Sequence, residues 1–315
     1  MTETDILGAP YESQTIELPD DDEGAVVATL VRRRADTPTD RAVLYVHGFV
    51  DYFFQTNLAE HYTSRGFDFY ALDLRKYGRS IRPHQTPYFC RSITEYWPEL
   101  DEAARIIRER DGHRVLLVNG HSTGGLITAV WAHRVRGRGI VDGLYLNSPF
   151  LDLNAPWLAR NPVADAASVL ALRRPKTVLP LPSLGLYARS LHREHDGEWD
   201  FDLGWKPLAG APVRLGWLRA IHVAHRRVRA GLEVDAPILV HCSTETFRGR
   251  HWDDAIFRAD AVLDVDHIAR WSHKLGRHVT LVKIEGSIHD VVLSAEPVRK
   301  EVFADLDRWA GAYLP

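Results

Sequence analysis

Residues 115–125 read Val115-Leu116-Leu117-Val118-Asn119-Gly120-His121-Ser122-Thr123-Gly124-Gly125. Four apolar residues and Asn119 lead into Gly-x-Ser-x-Gly, and a helical stretch follows from Gly125 to about Val135. A serine on so sharp a strand-to-helix turn is forced into a strained backbone conformation. Small residues two before and two after it keep side chains clear of the backbone. Gly120 and Gly124 meet that need. The Ser122 hydroxyl would then stand at the carboxyl end of a central strand, with the first amides of a helix behind it to favour developing negative charge. A bare Gly-x-Ser-x-Gly says little, because glycine and serine are common. Between a buried strand and a helix, the same five residues specify a nucleophile elbow.

Outward from the elbow, strand and helix patterns alternate. Upstream lie the apolar run Ala42–Val46, a helix-like stretch from Asn57 to Arg65, the apolar run Phe67–Leu72 and a helix around Glu95–Arg110. Downstream comes a strand at Ile140–Leu146. Such alternation predicts a mostly parallel sheet flanked by helices on both faces. Near the start, Thr15–Leu18 and Ala25–Val31 alternate apolar and polar residues around Asp20-Asp21-Asp22-Glu23-Gly24, which predicts a hairpin at an antiparallel edge. The rhythm breaks between Asn154 and about Glu233, where no buried strand is evident. This stretch holds Trp157, Trp199, Trp205 and Trp217, with Val178-Leu179-Pro180-Leu181-Pro182 and Leu184–Leu186. We expect residues 154–234 to form an inserted helical cap, packed by its tryptophans on a core made of 1–153 and 235–315. Strands resume at Pro237–His241, followed by a helix near Val265–Leu275, a strand at Val279–Ile284 and a closing helix from about Pro297 to Trp309.

Composition narrows the function. The 39 Lys and Arg residues against 42 Asp and Glu leave a net charge of −3, which offers polyanions no general attraction, so nucleic acid is not expected as a partner. Cys90 and Cys242, the two cysteines, lack any CxxC spacing and read as buried thiols. Asp264-Val265-Asp266-His267 and His192-Arg193-Glu194-His195 lack a recognised metal-ligand spacing, so neither a metal nor another cofactor is expected. The acidic Met1–Asp22 has no signal-peptide pattern, and no run of about 18 apolar residues occurs. The expectation is a cytoplasmic protein without a stable membrane anchor. The basic run His222–Arg229 reads as a solvated helix face.

Two further segments carry a family resemblance. His47-Gly48-Phe49 follows the strand Ala42–Val46, and Asp73-Leu74-Arg75-Lys76-Tyr77-Gly78-Arg79-Ser80 has the form D-x-R-x-x-G-x-S. With the elbow, they resemble the α/β-hydrolase superfamily, and within it the capped monoglyceride-lipase, lysophospholipase and serine-aminopeptidase-like group. Lys76 and Tyr77 stand where that group often has Gly and His. The resemblance implies a core of eight strands or so, and an oxyanion hole made by the backbone N–H groups of Phe49 and Thr123. His47 would support that loop and not serve as a base.

The same resemblance implies the chain order Ser, acid, His. His289 follows the strand Val279–Ile284 through Glu285-Gly286-Ser287-Ile288 and precedes Asp290, so it is the expected base. The acid should lie beyond the strand Pro237–His241. Glu245 has the shortest spacing, whereas Asp260 opens Asp260-Ala261-Val262-Leu263-Asp264, which resembles the group's D-x-V-x-D stretch leading into a helix. Asp260 is preferred even though it requires a loop insertion over 244–259, and Glu245 and Asp264 stay in contention. Asp253, Asp254 and Asp266 read as surface charges. The implied function is a serine hydrolase cleaving small-molecule carboxylic esters with an apolar acyl chain, of monoacylglycerol or lysophospholipid type. Peptidase, C–C hydrolase, acyl-transferase and non-catalytic ligand-binding activities on the same fold are the alternatives.

Overall fold

The computed structural model describes residues 2–154, 164–180 and 185–314. The strands are β1 (Glu3–Thr4), β2 (Glu12–Asp21), β3 (Gly24–Arg33), β4 (Arg41–Val46), β5 (Asp68–Asp73), β6 (Val115–His121), β7 (Gly143–Asn147), β8 (Ile238–Ser243) and β9 (Val279–Ile284). The helices are α1 (Thr56–Ser64), α2 (Trp97–Arg105), α3 (Thr123–Val135), α4 (Ala164–Ala171), α5 (Leu186–Leu191), α6 (Leu215–Ala230), α7 (Val265–Ser272) and α8 (Glu296–Tyr313). All strands join one sheet in the order β1-β2-β3-β5-β4-β6-β7-β8-β9. The hairpin β2–β3 and its neighbours are antiparallel, and every pairing from β5 to β9 is parallel. Apart from the two-residue β1, there are eight strands among the described residues.

The continuous apolar runs of the parallel strands follow from burial on both faces. Along β4, Ala42, Leu44 and Val46 enter one cluster with residues of α2, α3, α6 and α7. Val43 and Tyr45 enter a second cluster with residues of α1 and α8. This two-sided burial leaves the carboxyl ends of β4 and β6 adjacent and their loops free to build a site, the usual place for one in an open α/β sheet.

Several boundaries differ from the sequence expectation for identifiable reasons. β6 runs past its apolar residues through Asn119-Gly120-His121, because its ladder continues with β4 at Val46–Gly120 and with β7 at His121–Asn147. The strand expected from Ile140 starts only at Gly143, since Asp142 turns its carboxylate onto the Leu116 N–H at 2.7 Å. The basic run 222–229 is not simply a solvated face. α6 packs against α4 and α3, and along it His222, His225 and Val228 are buried while Arg226 and Arg227 are exposed. Burial pushes the His225 imidazole down to about 4. Cys90 and Cys242 are buried free thiols, each pushed up to about 12 by desolvation.

The long connection from β7 to β8 carries α4, α5 and α6. Trp157, Leu181, Pro182 and Leu184 lie outside the described residues. Trp199, Trp205 and Trp217 each meet the rest of the fold. Trp199 donates its indole N–H to the Leu293 carbonyl at 2.9 Å, Trp205 meets the Tyr52 ring edge-on at 5.2 Å, and Trp217 lies 4.1 Å from the Phe49 ring. No helix among the described residues is long and apolar enough to cross a membrane.

Candidate active site

Ser122 joins β6 to α3 with φ 52° and ψ −117°, a conformation that side chains rarely adopt. Its flanking glycines are sterically required. A Cβ on Gly120 would come within 2.3 Å of Thr128 Oγ1, and one on Gly124 within 2.3 Å of the His47 carbonyl and 2.4 Å of the Val46 carbonyl. The obstruction at Gly124 is main chain of β4 and cannot swing away. Gly124→Ala is therefore expected to cost about 3 kcal/mol of stability, read as a lowered midpoint in urea unfolding.

His289 lies beside Ser122, with Nε2 3.0 Å from Oγ. Its Nδ1 is 2.8 Å from Asp260 Oδ2. The carboxylate accepts, so Nδ1 carries the proton, and Nε2 is left to accept from the serine hydroxyl. Asp260 is itself fixed, because Oδ1 accepts the N–H groups of Val262 at 2.8 Å and Leu263 at 2.7 Å. All three side chains are buried.

The route to Asp260 explains the long loop. After β8 the chain leaves at Glu245, makes an excursion that includes a single helical turn at Asp254–Phe257, and returns. There the Asp260 N–H bonds the Glu245 carbonyl and the Phe247 N–H bonds the Asp260 carbonyl, each at 2.8 Å. Asp260 thus stands beside Thr246, close to the strand end. Glu245 brings its main chain to that place, and its side chain is exposed. Asp264 caps α7 by accepting the Asp266 N–H at 3.1 Å and pairs with Arg248. Of the three candidate acids, only Asp260 reaches His289 among the described residues.

His47 uses both ring nitrogens structurally. Nδ1 donates to the Gly48 carbonyl at 2.8 Å and Nε2 accepts the Leu74 N–H at 3.1 Å, tying the end of β4 to the end of β5. The D-x-R-x-x-G-x-S segment is also scaffolding. Asp73 accepts from the Phe53 N–H and from Arg79, while Arg75 forks onto the buried Glu99. Lys76, one of the two departures from the family pattern, is buried in ion pairs of 2.6 Å with Asp21 and Glu23 of the β2–β3 hairpin.

Phe49 and Thr123 both line the cavity above Ser122. Thr123 opens α3, where the first amides have no partner inside the helix, and neither its N–H nor that of Phe49 donates to another described residue. The cavity encloses about 490 Å³. Part of its wall is an aromatic cluster in which Trp217 stacks between Phe49 and Phe150, with Val213 and Leu263 also lining the space. Among the described residues no group of three His, Cys, Asp or Glu side chains is arranged to hold a metal.

Several site residues gave no sign in the sequence. Asn147, at the end of β7, holds the His289 loop by donating to Asp290 Oδ1 at 2.6 Å and accepting the Val291 N–H at 3.1 Å. Tyr187 of α5 lays its ring edge-on against His289 at 5.4 Å, and its oxygen accepts the Asp290 N–H at 3.1 Å. Asp51 pairs with Lys206 at the cavity wall. Each contact joins residues remote in sequence, and none forms a local pattern.

Comparison with known proteins places the chain in context. The sequence model of the Hydrolase_4 family, described as serine aminopeptidase, S33, matches residues 37–246. No curated protein matches significantly by sequence. Among solved structures, the chain is similar to a highly thermostable carboxyl esterase from Bacillus coagulans in complex with glycerol. That match has a TM-score of 0.69 and 15% identity over 96% of this chain and 99% of the other. It is similar to a soluble variant of monoglyceride lipase from Saccharomyces cerevisiae in complex with a substrate analogue, with a TM-score of 0.67 and 16% identity over 95% of this chain and 94% of the other. A monoacylglycerol lipase from Paleococcus ferrophilus gives a TM-score of 0.65 and 19% identity over 90% of this chain and 99% of that one. The α/β-hydrolase fold expected from the elbow and the resemblance to the capped group are both borne out.

Proposed function

The chain belongs to the serine aminopeptidase, S33, family of hydrolases, and from that premise we propose that it cleaves carboxylic esters through an acyl-enzyme on Ser122. The observation that carries this reading is the buried chain of hydrogen bonds from Ser122 Oγ through His289 to Asp260. Ser122 Oγ attacks the ester carbonyl as His289 Nε2 takes its proton, and the tetrahedral oxyanion points at the free amides of Phe49 and Thr123. The same Nε2–H then protonates the departing alcohol. Water, deprotonated by His289, cleaves the acyl-enzyme and returns the serine. Asp260 holds the productive tautomer and offsets the imidazolium charge in both halves.

Segment 154–234 serves as the cap that selects the substrate. Its Trp217 and Val213 face the cavity with Phe49 and Phe150 of the core, a wall suited to an apolar acyl chain. The monoglyceride and monoacylglycerol lipases and the carboxyl esterase of the same fold support an ester of monoacylglycerol type, and a lysophospholipid shares its single apolar acyl chain. A panel of p-nitrophenyl esters from acetate to laurate tests this. The expected result is a rise in kcat/KM of at least about tenfold from the two-carbon to the eight-carbon ester, the gain from burying about two of the added methylenes at about 0.8 kcal/mol each. Trp217→Ala should flatten that rise. Faster turnover of aminoacyl p-nitroanilides than of any ester would replace this reading with a peptidase.

A further inference from the structure

Asp51 and Lys206 form a buried ion pair that the acyl-transfer steps do not use. Lys206 Nζ lies 2.7 Å from Asp51 Oδ1, and both residues line the cavity. Asp51 belongs to the loop after His47-Gly48, and its Oδ2 accepts the Gly48 N–H at 3.3 Å. A Cβ on Gly48 would sit 3.2 Å from Ser122 Cβ, 3.4 Å from His121 Cδ2 and 3.7 Å from Asp51 Oδ2. The carboxylate, the nucleophile and the backbone of the oxyanion loop therefore crowd around one point.

Lys206 reaches this point as part of a clasp. The Asp202 N–H donates to the Tyr52 oxygen at 2.6 Å, the Phe201 and Phe54 rings lie 5.0 Å apart, and the Tyr88 hydroxyl donates to the Trp205 carbonyl at 3.3 Å. Segment 201–206 of the insertion thus seats the oxyanion loop. The titratable groups that face Asp51 include Lys206, His121, His47, Tyr45 and Tyr187, and Lys206 acts on it most strongly. Burial alone would push the Asp51 carboxyl up, yet Lys206, through its charge and its hydrogen bond, holds it below the usual carboxylate range.

A lone carboxylate so near the developing oxyanion would oppose it, and the more strongly for being screened from water. Resting on the acyl-enzyme reading, we propose that Lys206 is a positioning residue for the oxyanion hole: it cancels the Asp51 charge and fixes the carboxylate that aims the Gly48–Phe49 backbone. The two charges are then unequal in effect. Losing the cation leaves an anion beside the oxyanion, whereas losing the anion leaves a cation there.

The test compares Lys206→Met, Asp51→Asn and the double variant with p-nitrophenyl octanoate. Lys206→Met is expected to lower kcat about 50-fold with KM changed less than about threefold, and Asp51→Asn to lower kcat less than about fivefold. The double variant should stand at least about tenfold above Lys206→Met. Equal losses in the two single variants, or a double variant no better than Lys206→Met, would overturn the proposal, because a pair needed only for structure fails alike from either end. Should Lys206→Met not fold, a loss beyond about 20-fold in Asp51→Asn or in the double variant overturns it. Fluorophosphonate labelling of wild-type Ser122 separately checks the acyl-enzyme reading. The seating role has a readout that needs no activity: amide exchange at Gly48, whose N–H bonds Asp51, should be at least about tenfold faster in Lys206→Met, and unchanged exchange overturns it.

Discussion

Ser122→Ala is expected to lower kcat toward ester substrates by about a millionfold and to remove all labelling by a fluorophosphonate probe, with the fold intact. The fold should survive because alanine keeps the Cβ already accommodated at φ 52° and removes only Oγ, which lines the cavity and bonds His289. His289→Ala should cost nearly as much in kcat, and the two changes together little more than either, because nucleophile and base act as one unit. Peptide mapping after labelling of the wild type checks the assignment. A label on another serine, or turnover by Ser122→Ala above about one percent of wild type, would show the elbow to be misread. A well-folded wild type that takes no label would favour a ligand-binding role for the cavity.

The elbow was legible because its cause is local. A buried strand, a positive-φ serine and its two flanking glycines are contiguous in sequence, even though the carbonyls that crowd Gly124 come from the end of β4. The parallel sheet was legible for a similar reason, since burial on both faces makes central strands such as β4 and β5 nearly continuous apolar runs. Limits appear where burial and pairing stop coinciding: β6 carries Asn119 and His121 inside a ladder that apolarity alone would end at Val118. The partners of the site residues were hidden for a different reason. Asn147 meets Asp290, and Asp51 meets Lys206, only after the sheet and the β7–β8 connection have formed. A single lysine in the irregular stretch before α6 looks like any surface lysine, although here it is buried against a carboxylate. His222 and His225 show the same limit, because a basic run reads as solvated until the elements that pack on α6 are known.

Asp260→Asn is expected to lower kcat about ten-thousandfold, against less than about threefold for Glu245→Gln. The asparagine would keep the local geometry, since its carbonyl oxygen can still accept the N–H groups of Val262 and Leu263. Its amide would then face His289 Nδ1 as a donor. That contact favours the tautomer with the proton on Nε2, which leaves no lone pair to take the Ser122 proton. KM should change little, because Asp260 lies behind the imidazole and is fully buried. Glu245 has an exposed side chain and supports Asp260 only through its carbonyl oxygen, so changing its carboxylate leaves that support in place. Steady-state kinetics on both variants, with fluorophosphonate labelling rates as a second readout, decides the matter. A large loss in Glu245→Gln with Asp260→Asn near wild type would mean that the loop over 244–259 rearranges in solution to bring Glu245 to the histidine. The two hydrogen bonds that pair Asp260 with Glu245 and Phe247 would then have to break.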